Sequence, residues 1–236
     1  MKRLLLMSSS RKGNIGYLEH ASEQFATILD GQVKKVVFIP YAAVSFSFDQ
    51  YEQMVQPVFE KLGVEIRSVH QFENAQKAIE SADAVAVGGG NTFALLTRLY
   101  QNGLVDVLPE LVNNGLRYIG WSAGTNVACP TIRTTNDMPI VAPPSLHALS
   151  LVPLQINPHF ISGKPVGHNG ESREERLNEF TAYNTEEAVL AIREGSALYV
   201  EGNNARLMGD ESALIFKHGQ QETELASGSV FEWQNI

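Results

Sequence analysis

Ser122 stands in Gly120-Trp121-Ser122-Ala123-Gly124, a G-x-S-x-G stretch where the apolar run Leu116–Trp121 gives way to a segment of helical character. A sharp strand-to-helix turn crowds the backbone around its serine, and glycines two residues to either side relieve that crowding. Such a turn lifts the hydroxyl above the strand end. It also aims the N–H groups of the following helix, beginning with Ala123, at the space where an oxyanion forms. The chemistry this predicts is acyl transfer through a serine nucleophile. A second strand-to-helix junction carries Gly88-Gly89-Gly90-Asn91-Thr92, with Asn91 or Thr92 as the helix N-cap. Three glycines let bare backbone approach a ligand closely, and the Gly90 N–H is the expected second oxyanion donor. The stretch has neither the G-x-G-x-x-G spacing nor the lysine of a phosphate-binding loop.

A serine nucleophile needs a base within hydrogen-bond reach, usually histidine, itself oriented by a carboxylate. Of the six histidines, His20 lies in a predicted helix, His70 at a strand end, His147 in a long loop and His218 in a hairpin turn. His159 leaves the carboxyl end of a predicted strand, after Leu154-Gln155-Ile156-Asn157-Pro158. His168, in Val166-Gly167-His168-Asn169-Gly170, is the competing base. Two carboxylates stand out for the acid, Asp137 in Thr135-Asn136-Asp137-Met138-Pro139 and Glu194 in Ile192-Arg193-Glu194-Gly195-Ser196. On residue context alone Glu194 reads as an exposed hairpin carboxylate. Arg173, near the start of a charged helix, could grip a substrate carboxylate through two parallel N–H bonds. The adjacent glutamates equally suit it to an i,i+3 ion pair on a solvated face.

The elements that must position these groups alternate between strand-length apolar runs and helical stretches, the pattern of an α/β fold with a mostly parallel sheet covered on both faces. Strands are predicted at Leu4–Ser8, Val33–Pro40, Val64–Val69, Ala84–Val87, Leu116–Trp121 and Leu151–Asn157. Helices are predicted at Tyr17–Leu29, Asp49–Leu62 with a kink at Pro57, Asn74–Ser81, Asn91–Tyr100, Leu104–Val112 and Ser172–Tyr183. Residues 130–150, rich in Pro, Thr and Ser, read as a long surface excursion, a kind of loop that is often functional. From Ala188 onward short β runs dominate, Ala188–Ile192, Ala197–Val200, Ala213–Phe216 and Ser229–Trp233. Their connections contain Gly195-Ser196, Gly202-Asn203-Asn204 and His218-Gly219, which is hairpin chemistry. No repeat or linker divides residues 1–236, so a single α/β domain is expected.

Composition narrows the function classes. The 236 residues carry a formal net charge of −8, which leaves no basic excess to displace the counterions of nucleic acid. The longest apolar run, Val36–Val44, contains Pro40 and falls well short of the ~20 residues a membrane-spanning helix needs. The start of the chain imitates a signal peptide only briefly, because its apolar part is Leu4–Met7, against an h-region of roughly 7–15 residues. A lone cysteine, Cys129, excludes an intrachain disulfide or a C-x-x-C site and is expected to be a buried small hydrophobe in a reducing cytoplasm. No His/Cys cluster of metal-binding spacing is visible, and no metal or cofactor is expected.

Taken together, Gly88-Gly89-Gly90-Asn91-Thr92, Gly120-Trp121-Ser122-Ala123-Gly124-Thr125-Asn126, Asn157-Pro158-His159-Phe160 and Gly170-Glu171-Ser172-Arg173-Glu174-Glu175-Arg176 resemble, in order, the motifs of the peptidase E family of serine peptidases, which also contains cyanophycinase. The likeness runs over essentially the whole chain. It implies a flavodoxin-like fold similar to the class I glutamine amidotransferases, a cytoplasmic enzyme, and hydrolysis of dipeptides with N-terminal aspartate by a Ser-His-Glu triad. Carried over by motif, Ser122 is the nucleophile, His159 the base and Glu194 the acid, with Asp137 in reserve. Arg173 is then the aspartate-binding residue, and His168 lines the same pocket. The amidotransferases use a cysteine nucleophile and a His-x-Glu pair, whereas this chain has Ser122 and His159-Phe160-Ile161. The order Ser, His, Glu also differs from an α/β-hydrolase, which places its acid before its histidine. The alternatives are a cyanophycinase-like or β-aspartyl peptidase, and a non-catalytic small-molecule-binding module on the same fold. The expected partners are small peptides beginning with aspartate, with no nucleic acid or membrane, and the chain acting as a monomer or homodimer. An acidic protein that takes an acidic substrate needs a local cation to override its own field, the role expected of Arg173.

Overall fold

The structure is a computed structural model that describes residues 1–164, 166–167 and 169–236. In chain order its elements are β1 (Arg3–Met7), α1 (Ser22–Leu29), β2 (Lys35–Ile39), α2 (Phe48–Lys61), β3 (Glu65–Ser68), α3 (Ala75–Glu80), β4 (Ala84–Val87), α4 (Thr92–Gln101), α5 (Leu104–Asn113), β5 (Arg117–Trp121), α6 (Ala123–Asn126), β6 (Gln155–Asn157), α7 (Arg173–Tyr183), β7 (Val189–Ala191), β8 (Ala197–Glu201), β9 (Asn204–Met208), β10 (Ala213–Phe216), β11 (Thr223–Leu225) and β12 (Val230–Glu232).

Eight strands form the main sheet in the order β12-β9-β8-β1-β5-β4-β2-β3. The run from β1 through β5, β4 and β2 to β3 is parallel, and β8, β9 and β12 extend it as antiparallel ribbons. Alternation along β1 explains why helices cover both faces. Leu4 and Leu6 pack into one core with Leu95 and Leu99 of α4 and Leu108 of α5. Leu5 and Met7 pack into the other with Phe25 and Ile28 of α1 and Val55 and Phe59 of α2. A parallel sheet covered twice in this way requires strands apolar on both sides, and β4 (Ala-Val-Ala-Val) is buried at every position. The second sheet, β11-β10-β7-β6, closes a small core of Phe160, Leu177, Val189, Ala191 and Phe216 beneath α7.

The α/β class and the C-terminal hairpins agree with the sequence reading, with local corrections. The helix expected from Tyr17 begins only at Ser22, after a 3-10 turn at Glu19–Ala21, because Leu18 takes a left-handed conformation (φ 59°) that a continuous helix cannot include. The strand expected over Leu151–Asn157 is confined to Gln155–Asn157. Gly195-Ser196 is not a hairpin turn, since β7 pairs in the small sheet and β8 in the large one, and the glycine carries the chain from one to the other. Asn204 belongs to β9, a strand that the polar alternation Asn-Ala-Arg-Leu-Met did not reveal, and Gly202-Asn203 alone make the turn. Residues 130–150 are only partly an excursion. Thr131 and His147 form a β-bridge and Ile132, Ala148 and Leu149 are buried, while the stretch around Met138 and Ile140 is exposed.

Candidate active site

The site is assembled at the carboxyl ends of β1, β4 and β5, with β6 and β7 contributing from the second sheet. Ser122 follows β5 directly and takes φ 54° and ψ −111°, a strained backbone region for any residue with a side chain. Two glycines make this strain tenable. A Cβ on Gly120 would lie 2.5 Å from the Gly124 carbonyl oxygen, and one on Gly124 would lie 2.1 Å from that of Val87 in β4. The turn is held from below as well. The Ser122 N–H donates to Met7 O (3.1 Å), the Thr125 hydroxyl to the same carbonyl (2.7 Å), and the Tyr118 hydroxyl to Gly124 O (2.6 Å).

The loop after β4 lies against this turn, with a Cβ on Gly89 reaching 2.9 Å from that of Ser122. Gly90 has φ +133°, and a Cβ there would meet the Ala42 carbonyl at 2.4 Å, so only glycine fits. Asn91 caps α4 by accepting from the Ala94 N–H at 3.0 Å, as expected. The N–H groups of Gly90 and Ala123 have no protein acceptor and are therefore unpaired among the described residues.

His159 emerges two residues beyond β6, also with a left-handed backbone (φ 56°). Its Nε2 lies 2.9 Å from Ser122 Oγ, and its Nδ1 lies 2.8 Å from Glu194 Oε1. The imidazole and the Glu194 carboxylate are 37% and 51% exposed, so solvent reaches the relay. What holds the ring is its backbone: the His159 N–H donates to Ser8 Oγ (2.8 Å), and Ser8 donates to Ile192 O (2.9 Å). Ser9 Oγ in turn accepts from the Gly195 N–H at 3.1 Å, fixing the turn that carries Glu194. Ser8 and Ser9 escaped the sequence reading. Their place directly after a buried first strand puts them on the edge where α/β sheets place ligands, but no local pattern marks the distant amides they meet.

The remaining predicted residues divide. Asp137 does not touch His159. Its carboxylate accepts from the Thr92 N–H (2.7 Å) and the Thr92 hydroxyl (2.6 Å), satisfying the first turn of α4. Arg173 makes no ion pair among the described residues; Glu175 pairs with Lys164 and Glu171 with Arg176 instead. The half-buried Arg173 guanidinium donates to Asn136 Oδ1, whose amide donates to Pro158 O (2.9 Å), next to His159. Burial lowers the Arg173 pKa from its ordinary value and neighbouring Arg176 adds to this, while Asp137 opposes it. Ser172 caps α7 in a reciprocal capping box with Glu175, so the helix start that carries Arg173 is fixed. His168 lies outside the described residues. Cys129 is fully buried between α6 and β6, accepts from the Ile156 N–H, and has its thiol pushed up to about 12 by desolvation. Among the described residues no group of three or more His, Cys, Asp and Glu could hold a metal ion, and no described helix is long and apolar enough to cross a membrane.

A sheet covered on both faces, with a strained serine and a histidine in contact at its strand ends, defines an α/β protein built for hydrolysis. Residues 4–208 match peptidase family S51, and the chain belongs to that family. It is similar to peptidase E of Pasteurella multocida, with 50% identity over 99% of this chain and all of the relative, and to peptidase E of Nostoc, with 44% identity over 94% and 92%. Two solved structures share the fold. A putative peptidase E protein from Listeria monocytogenes has a TM-score of 0.68 and 24% identity, covering 89% of this chain and 98% of that one. A peptidase from an acI-B1 actinobacterium has a TM-score of 0.73 and 20% identity, covering 98% and 97%. The protein is thus a hydrolase, a peptidase of a serine-type family.

Proposed function

We propose that this peptidase cleaves dipeptides with N-terminal aspartate in the cytoplasm, using Ser122 as nucleophile, His159 as base and Glu194 as the acid that orients it. The observation that carries the reading is the continuous relay from Ser122 Oγ through both ring nitrogens of His159 to Glu194. In this mechanism His159 Nε2 takes the Ser122 proton as the hydroxyl attacks the peptide carbonyl, then returns it to the leaving amine. Glu194 holds Nδ1–H and stabilises the imidazolium that forms. The Gly90 and Ala123 N–H groups receive the oxyanion, a role worth about 3–4 kcal/mol per donor. Water then releases the acyl group by the same route, and no step needs a metal. Asp137, committed to the first turn of α4, is set aside as the triad acid.

Arg173 is the aspartate-binding residue in this reading. Its guanidinium makes no ion pair among the described residues, its position is fixed by Asn136, and Asn136 also contacts the segment leading to His159. The test is hydrolysis of Asp-Leu against its β-linked isomer by wild type and Ser122→Ala. Ser122-dependent cleavage of Asp-Leu is expected. Cleavage of the β-linked form alone identifies a β-aspartyl peptidase instead, and the absence of any Ser122-dependent hydrolysis leaves a binding module.

A further inference from the structure

The oxyanion donor assigned to Gly90 belongs to the peptide unit that joins Gly89 to Gly90, and the glycine on either side makes that unit easy to rotate. In a planar trans peptide the C=O and N–H point in opposite directions, so whatever holds the Gly89 carbonyl aims the Gly90 N–H. That carbonyl is held. The Tyr51 hydroxyl, from the buried face of α2, donates to Gly89 O at 2.9 Å.

The direction of this bond is fixed by its surroundings. Tyr51 Oη accepts from the Tyr17 hydroxyl at 3.0 Å, and the Trp121 indole N–H lies 3.1 Å from Tyr51 Oη and 3.0 Å from Tyr17 Oη. A phenol has one proton and two acceptor sites. With two donors directed at its oxygen, Tyr51 has its proton left for Gly89. Desolvation raises the Tyr51 pKa well above its ordinary value, so the group stays protonated across the working pH range. The ring is wedged edge-on against Phe38 and Phe46, with centroids 4.9 and 5.2 Å away. A Cβ on Gly88 would come within 2.6 Å of the Tyr51 oxygen, so Gly88 leaves the space that the phenol fills. Trp121 immediately precedes Ser122, and the same three-residue cluster therefore ties the nucleophile turn to the oxyanion peptide.

We infer that Tyr51 is a positioning residue for catalysis: its hydroxyl locks the Gly89–Gly90 peptide in the orientation that keeps the oxyanion hole formed, with Tyr17 and Trp121 orienting that hydroxyl. The inference rests on the acyl-transfer reading of the Ser122 site. Without the phenol proton the peptide rotates, its carbonyl can turn toward the place of the oxyanion, and the loss falls on the transition state and not on the bound substrate.

The experiment compares wild type, Tyr51→Phe, Tyr17→Phe and Ser122→Ala on Asp-Leu. Tyr51→Phe keeps the ring and its packing. It is expected to lower kcat about 10- to 100-fold, less than the roughly 100- to 1,000-fold loss of a whole oxyanion donor because the N–H is misaligned and not removed, with KM changed less than about twofold. Its affinity for a boronic acid analogue of aspartate, which forms a tetrahedral adduct on a serine, should fall in step with kcat/KM, while binding of free aspartate is unchanged. Tyr17→Phe removes only one of the two donors that orient Tyr51 and should give a smaller kcat loss of the same character. It also serves as the second variant should Tyr51→Phe fold poorly. A folded Tyr51→Phe enzyme with kcat within about twofold of wild type overturns the positioning role, as does a loss confined to KM. If Ser122→Ala still hydrolyses Asp-Leu, the acyl-transfer reading falls and this inference falls with it. A dead Ser122→Ala beside an unimpaired Tyr51→Phe overturns the inference alone.

Discussion

Replacing Ser8 by alanine tests whether the relay is held by its backbone or by its exposed side chains. Ser8 is fully buried, and its hydroxyl links the His159 N–H to Ile192 O. Ile192 O keeps a second donor, the Phe160 N–H at 3.1 Å, so the substitution orphans one group only, the His159 amide. An unpaired buried N–H costs about 1–3 kcal/mol. At about 2–4 °C per kcal/mol for a chain of this size, Tm should fall by about 2–12 °C. The larger effect is expected on rate. His159 has a left-handed backbone (φ 56°) that a side-chain-bearing residue keeps only when its surroundings enforce it. Relaxation of that conformation carries Nε2 away from Ser122, and a displacement near 1 Å costs about 100-fold. The assay is kcat/KM for Asp-Leu, beside a thermal melt and a pH–rate profile. Ser8→Ala should lose about 30- to 100-fold, mostly in kcat. An enzyme with the lowered Tm but with kcat/KM within about threefold of wild type would refute the backbone role of Ser8, because Glu194 and solvent would then suffice to orient the ring.

Three further outcomes follow from the same geometry. Arg173→Ala should cost about 100-fold in kcat/KM on Asp-Leu, consistent with 2–5 kcal/mol for truncating one member of a buried charge pair, while Tm moves little because the residue has no ion pair to lose; unchanged kcat/KM moves the aspartate pocket elsewhere. Cys129, buried and with its thiol pushed up to about 12, should resist iodoacetamide at pH 8 in the native protein and react once unfolded in urea, and rapid native labelling would contradict its place between α6 and β6. Asp83 accepts from the Lys34 and Lys35 N–H groups at the start of β2, and these bonds hold its carboxyl below the ordinary value. The unfolded chain therefore binds this proton more readily, so the contribution is complete above the unfolded pKa of about 3.9 and is lost as pH falls through the lower folded value. Asp83→Asn should be less stable than wild type near neutrality, with the Tm difference shrinking at acid pH; a difference independent of pH would assign the effect to packing.

The sequence by itself determined most elements of the parallel core and the residues whose chemistry is local. Ser122 is legible because the turn that exposes it demands Gly120 and Gly124, and steric exclusion of a Cβ leaves a trace in the sequence. The parallel core is legible for a similar reason: strands buried on both faces, such as β4, must be apolar at every position. Glu194 carried no such mark. An exposed carboxylate in a short turn looks the same whether or not a histidine stands beside it, and the 35-position separation of Glu194 from His159 gives no register. Asp137, by contrast, looked suited to orienting a histidine, and only the packing of residues 135–138 onto α4 shows its carboxylate engaged by Thr92. Ser8 and Tyr51 were beyond reach for the deepest reason. Each acts on a group more than thirty residues away, Ser8 on His159 and Tyr51 on Gly89, through a single hydrogen bond whose existence depends on how the elements pack. Local sequence records what a residue demands of its neighbours along the chain. Which distant carbonyl or amide a buried hydroxyl meets is decided only when the sheets and helices come together.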